Sequence, residues 1–181
     1  MSRAVVLARH PEGAVTEQDF AVVEVADTDL PGGFFRTRNR VISLDAGFRQ
    51  WMTEGAGDNY LTGMKIGDPV QSIVLGEVIE SDHPDYTVGT LVSARTAWEE
   101  QSVLDGSDLC SPLEVASDVP LHQYVGILGP TGMTAWIGLF EVAQPKPGET
   151  LVVSAAGGAV GTVVGQLAKA EGGRVIGLTS T

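Results

Sequence analysis

Thr150-Leu151-Val152-Val153-Ser154, then Ala155-Ala156-Gly157-Gly158-Ala159-Val160-Gly161, and the run on to Arg174-Val175-Ile176-Gly177-Leu178 decide how this chain folds. The first five residues form a continuous apolar run of the kind that a parallel sheet buries on both faces. Ala156-x-Gly158-x-x-Gly161 then has the spacing of the fingerprint G-x-G-x-x-G, with Ala in the first place. Thr162 to Ala170 reads as a helix, Glu171-Gly172-Gly173 as a turn, and Arg174 to Leu178 as a second buried strand. Strand, glycine turn, helix and strand within about 30 residues make a βαβ unit, the context that the fingerprint requires.

The residue types in that turn have a physical reason. A residue without a side chain at Gly158 lets a pyrophosphate approach the backbone, and the amides of Ala159, Val160 and Gly161 present the positive end of the helix dipole to it. Gly161 and Gly165, four apart on one helix face, are expected to bring that helix close to the strands. A dinucleotide fold that takes NAD carries an Asp or Glu about 20 residues on, against the ribose 2′-hydroxyl. Here the second strand ends in Thr179-Ser180-Thr181, with no carboxylate to repel a 2′-phosphate, so NADP is the expected cofactor and Thr179 a candidate contact.

Upstream the character differs. Ala4 to Ala8, Phe20 to Ala26, Phe35 to Ile42, Val70 to Ile79 and Val88 to Ala94 read as strands, with Gly- and Pro-containing breaks such as Leu30-Pro31-Gly32-Gly33 between them. Several short strands with such turns suggest a small barrel or sandwich. Near Pro120 the pattern turns helical. Leu121, Tyr124, Val125 and Leu128 share one helical face, and Met133, Trp136, Ile137 and Phe140 repeat the spacing after the loop Gly129-Pro130-Thr131-Gly132. The expected organisation is a β domain over residues 1–119, then connecting helices and the first βαβ unit of a nucleotide-binding domain over 120–181.

Composition narrows the function classes. The 181 residues carry 11 Lys and Arg against 23 Asp and Glu, a net charge of -12 that repels phosphate backbones and anionic lipid, so nucleic acid and membrane surfaces are not expected partners. No apolar run approaches the roughly 20 residues of a membrane span, and Met1 to Leu7 lack the form of a signal peptide. One cysteine, Cys110, cannot form an internal disulfide, which suits a reducing compartment, and a cytoplasmic location is expected.

Four stretches carry a resemblance to the zinc-independent branch of the medium-chain dehydrogenase/reductase superfamily, the NADP-dependent alkenal/one oxidoreductases that include the prostaglandin and curcumin reductases. The segment from Ala155 to Lys169 is similar to the group's A-A-A-G-A-V-G-S-V-V-G-Q-I-A-K nearly position for position. Gly129-Pro130-Thr131-Gly132-Met133-Thr134-Ala135-Trp136 resembles its G-M-P-G-L-T-A-Y, and Gly148-Glu149-Thr150 its G-G-E-T. Ser43-Leu44-Asp45 with Arg49 resembles S-V-D-P-Y-M-R, although Ala46-Gly47-Phe48 stand where the group has P-Y-M. The resemblance covers the whole chain but only the first half of a family member, so a truncated piece of an enzyme, inactive alone and weak toward NADPH, is expected.

The resemblance implies an α/β fold: a GroES-like β-barrel domain followed by the start of a Rossmann domain. It also implies reduction of the carbon-carbon double bond of small-molecule enones and enals with hydride from NADPH, commonly in a homodimer. By position, Gly158, Ala159, Val160 and Gly161 correspond to the pyrophosphate contacts, and Thr134 lies on the loop that the family places beside the nicotinamide. No catalytic residue is assigned by the resemblance. Metal is not expected, since Asp45 sits near the place of a first zinc ligand and Cys110 lies far along the chain. His10, His83 and His122 read as satisfied or solvated histidines, and Arg36, Arg38, Arg40 and Arg49 as partners of surface carboxylates. Two other readings stay open: a quinone oxidoreductase-type member of the same superfamily, and a non-catalytic β module in which the fingerprint is a remnant.

Overall fold

The computed structural model describes residues 1–57, 62–107 and 109–180. The chain divides into two units, Met1–Ala116 and Ser117–Thr181.

The first unit is built from β1 (Ser2–Leu7), β2 (Phe20–Val25), β3 (Phe35–Ile42), the single-turn helix α1 (Phe48–Trp51), β4 (Gln71–Ser81), β5 (Leu91–Ala97), β6 (Gln101–Leu104) and β7 (Ser111–Pro112). Five strands form an antiparallel sheet in the order β6-β3-β4-β5-β7, and β1 and β2 form a separate antiparallel pair. Backbone bonds stitch β1 onto the rest: Val5 N–H donates to Trp98 O at 2.7 Å, and Val70 N–H to Val5 O at 2.9 Å. Alternation along β4 and β5 puts Val74, Val78, Val92 and Ala94 inside.

Two apolar clusters hold this unit. One is Leu7, Phe48, Met52, Met64 and Val70, flanked by Phe20, Trp51 and Trp98. The other is Phe35, Val78, Tyr86 and Val92, in which the Phe35 and Tyr86 rings stack at 4.3 Å. Gly76 on β4 is a point of close approach, since a Cβ there would lie 2.8 Å from Thr37 Cβ.

The strands at 35–42, 150–154 and 174–178 have the boundaries read from the sequence. The strand expected at 88–94 runs instead from Leu91 to Ala97, because Gly89 (φ +90°) turns the chain just before it. β6, α1 and β7 carry too little apolar periodicity to have been read.

The second unit contains a 3-10 segment at Leu121–Val125, α2 (Pro130–Trp136) continued by π-helical turns over Ile137–Ala143, β8 (Thr150–Ser154), α3 (Ala159–Ala170) and β9 (Arg174–Leu178). β8 and β9 pair in parallel, with Thr150 beside Arg174 and Ser154 beside Leu178. Here four expectations are corrected. The helix expected over Leu121 to Leu128 is only one 3-10 stretch, because Gly126 closes it at φ −107° and ψ −113°. Gly129 to Gly132, expected as a loop, starts α2: Gly129 is the N-cap and Pro130 takes the first helical position, where its missing N–H costs nothing.

The third correction concerns the buried face of that helix. Met133 and Trp136 are exposed, whereas Gly132, Ala135 and Leu139 are buried. Small residues win because close approach needs them: a Cβ on Gly132 would collide with the Ile127 carbonyl oxygen. Nor are β8 and β9 covered on both faces, for Val152, Ile176 and Leu178 are exposed at 58%, 40% and 56%.

Candidate dinucleotide-binding site

β8 ends at Ser154, and the next three residues turn the chain sharply into α3. Ala155 adopts the left-handed conformation at φ +49°, unusual for a residue with a Cβ. That conformation swings the peptide between Ala155 and Ala156 into a bridging position. Its carbonyl accepts the Gly158 N–H at 2.9 Å, while its N–H donates to Leu178 O on β9, also at 2.9 Å. Gly158 is then the N-cap of α3, extended at φ −79° and ψ 171°, and its carbonyl accepts Thr162 N–H at 2.9 Å.

The glycines here answer to specific neighbours. A Cβ on Gly161 would collide with the Ala155 carbonyl and lie 2.9 Å from Ala156 Cα, and one on Gly158 would lie 3.2 Å from the same carbonyl oxygen. Gly177 on β9 is equally constrained, since its Cβ would come within 2.7 Å of Ala156 Cβ. The pattern of sequence spacing pointed to Gly161 but not to Gly177, whose need arises only when β9 lies against the turn. Gly165 does not have the packing role expected of it, as a Cβ there would make an ordinary 3.8 Å contact with Val175.

The backbone amides of Gly157, Ala159, Val160 and Gly161 have no acceptor among the described residues. Four undirected donors, gathered where a twelve-residue helix begins and with no side chain on Gly158, offer an anion such as a phosphate group its hydrogen bonds. Gly158, Ala159, Val160 and Gly161 are therefore together as expected from their spacing. Thr179 joins them from β9's end: its Oγ1 lies 3.2 Å from where a Gly157 Cβ would stand. Thr134 lies on α2, exposed, with its hydroxyl donating to Pro130 O at 2.7 Å. The turn from Ser154 to Gly161 contains no ionisable side chain, so its attraction for an anion comes from the backbone alone.

The arginines of the first unit have other duties. Arg36 Nε donates to Glu80 at 2.9 Å, Arg40 pairs with Glu77 at 3.1 Å, and Arg49 ties the 10–13 loop to α1 through the carbonyls of Pro11 and Gly13 at 3.0 and 2.9 Å. His10 shares in that tie by a 2.8 Å bond between Nδ1 and Met52 O. Asp45 accepts Gly47 N–H at 2.7 Å, and burial pushes the Cys110 thiol above its ordinary range. A cavity of about 330 Å³ lies between β1, β2 and β3, lined in part by Arg3, Val22, Arg40 and Trp98, and both its arginines are paired with glutamates.

Residues 3–111 match the family model described as the N-terminal domain of oxidoreductase. The chain belongs to this oxidoreductase family. It is 37% identical over 180 residues to the NADPH-dependent curcumin reductase of Escherichia coli (strain K12), covering 98% of this chain and 50% of that protein. The 2-alkenal reductase (NADP(+)-dependent) of Nicotiana tabacum is also 37% identical, over 97% of this chain and 52% of its own length. Among solved structures, CurA of Vibrio vulnificus in complex with NADPH superposes with a TM-score of 0.85 at 35% identity, over 99% of this chain and 52% of that one.

The resemblance read from the sequence thus holds, and with it the α/β architecture of a GroES-like domain followed by part of a Rossmann unit. The chain spans about half the length of the curated relatives it matches. Among the described residues no helix is long and apolar enough to cross a membrane.

Proposed function

We propose that this chain supplies the dinucleotide cradle and β domain of an NADP-dependent reductase acting on the carbon-carbon double bond of α,β-unsaturated ketones and aldehydes. The observation that carries the reading is the cluster of open amides at the start of α3, beside Gly161, where any Cβ would collide with the Ala155 carbonyl, and Gly158, where one would be tightly placed. Relatives named as NADPH-dependent or NADP-dependent reductases support it.

In this reading Ala159, Val160 and Gly161 hold the pyrophosphate by their amides, and Gly158 keeps the approach clear. Thr179 faces the adenosine ribose, where a hydroxyl accommodates a 2′-phosphate that a carboxylate would repel. Thr134 is assigned to the nicotinamide end. Residues 1–119 form the β domain and 120–181 the helical and nucleotide-binding part. When bound, the dinucleotide supplies the hydride; the turn orients it, and its fixed donors require no reorganisation to do so. The acidic surface and half-buried single cysteine support a cytoplasmic protein, and a homodimer is the assembly proposed for the whole enzyme.

Titration with NADP+ and NAD+, followed by backbone amide resonances, tests the assignment. The expected result is displacement of the Ala159, Val160 and Gly161 signals at lower concentrations of NADP+ than of NAD+. Equal response to both, or displacement confined to the first unit, would count against it. Consumption of NADPH with but-3-en-2-one by the whole enzyme tests the reaction.

A further inference from the structure

Thr162 lies in the first turn of α3, exposed, where a threonine adds nothing to helix propensity. Its hydroxyl does not bond to the carbonyl four residues back, as helical threonines commonly do. Instead Oγ1 reaches six residues back and donates to Ala156 O at 3.2 Å. That carbonyl belongs to the turn itself, and it is the partner of the Gly157 N–H across one peptide plane.

Among the described residues there is no cis peptide, so in each of these peptides the C=O and N–H point in opposite directions. Holding Ala156 O toward α3 therefore turns Gly157 N–H away from the helix, into the set of amides without a protein acceptor. The preceding peptide is already held at both ends, by Gly158 N–H on one side and Leu178 O on the other. Without Thr162 the peptide between Ala156 and Gly157 has no such anchor on its carbonyl, and with glycine on one side it is free to rotate.

We propose that Thr162 is a positioning residue for the dinucleotide: its hydroxyl fixes the second peptide of the turn, so that the amides of Gly157 and of the first turn of α3 are aligned before the pyrophosphate arrives. This rests on the function proposed above. The predicted consequence is a loss of preorganisation rather than a loss of contact, because Thr162 itself need not touch the ligand.

The test compares Thr162→Val, which keeps the shape and removes the donor, with Thr162→Ser, which keeps the donor. Two measurements are made: amide exchange at Ala156, Gly157 and Gly158 in the 181-residue chain without ligand, and NADP+ affinity of the whole enzyme from amide shifts. Thr162→Val is expected to speed exchange of the Ala156 and Gly158 amides and to weaken NADP+ about fivefold, the worth of one hydrogen bond. Thr162→Ser is expected to remain within twofold of the parent in both. Unchanged exchange in Thr162→Val, or a Ser variant that behaves as the Val variant does, overturns the proposal. Should the whole enzyme show no NADP+ shift at the first turn of α3, the functional reading fails, while the exchange data still decide whether Thr162 fixes the turn.

Discussion

Asp19 shows what one residue can do in a chain so rich in carboxylates. It is almost fully buried, accepting Thr16 N–H at 2.7 Å on one oxygen and Arg9 Nε at 2.6 Å on the other. The Thr16 amide first, and then the Arg9 guanidinium, hold its carboxyl below the usual range. A depressed folded pKa means that the stabilisation is present above the unfolded value, about 3.9, and is lost as the pH falls through the folded one. Asp19→Asn is therefore expected to lower the denaturation midpoint at pH 7, with the gap to the parent closing as the pH drops below about 4. Urea melts at pH 7 and pH 3 check this; a gap that stays constant would show that the ionised form is not what matters. None of this was legible beforehand, because Arg9, Thr16 and Asp19 meet only through a turn with no apolar period. Gly161 was legible, because it holds the last place of the fingerprint spacing, in the first turn of the helix that follows the glycine turn.

At the scale of elements, Asn39 decides how β6 joins the sheet. β3 bulges between Asn39 and Val41, and the Asn39 amide fills the break: its Nδ2 donates to Glu99 O at 2.8 Å and to Ser102 Oγ at 2.9 Å, while its Oδ1 accepts from Thr37 at 2.9 Å. Asn39→Ala removes all three bonds and leaves the buried Thr37 hydroxyl without its acceptor, while Ser102 keeps its bonds to Glu99 and Thr96. A cost of about 2–3 kcal/mol is expected, read as a shift in urea midpoint with faster amide exchange in β6. A loss under about 0.5 kcal/mol would mean that water replaces the amide there. β4, with its long β-branched run, could be read in advance, as could β3, with its alternating arginines, and β8 and β9. β6 could not, since its four residues owe their extension to pairing with β3 from Phe35 to Arg38. The helix after Pro130 was legible as an element and misread as a surface, for the apolar period followed Met133 and Trp136 while packing chose Gly132, Ala135 and Leu139.

For the whole molecule, charge is unevenly spread. Residues 117–181 hold three Lys and Arg and four Asp and Glu, whereas residues 1–116 hold eight and nineteen. The solubility of the chain thus depends on the first unit's negative charge, while the second exposes Val142, Val152 and Leu178 with little charge around them. Turbidity is expected to peak near pH 4.5, where net charge vanishes, and to clear above pH 6; a flat profile would show that the apolar surface does not govern association. From sequence alone came the βαβ unit, its glycine turn and the family, because strand runs, glycine spacing and turn residues act over a few neighbouring positions. Only the tertiary structure decided that Gly177 must be glycine, that Ala155 bridges two elements and that Thr162 reaches back to the turn. Each of those depends on distances between segments far apart along the chain, or on a backbone conformation that no local pattern specifies.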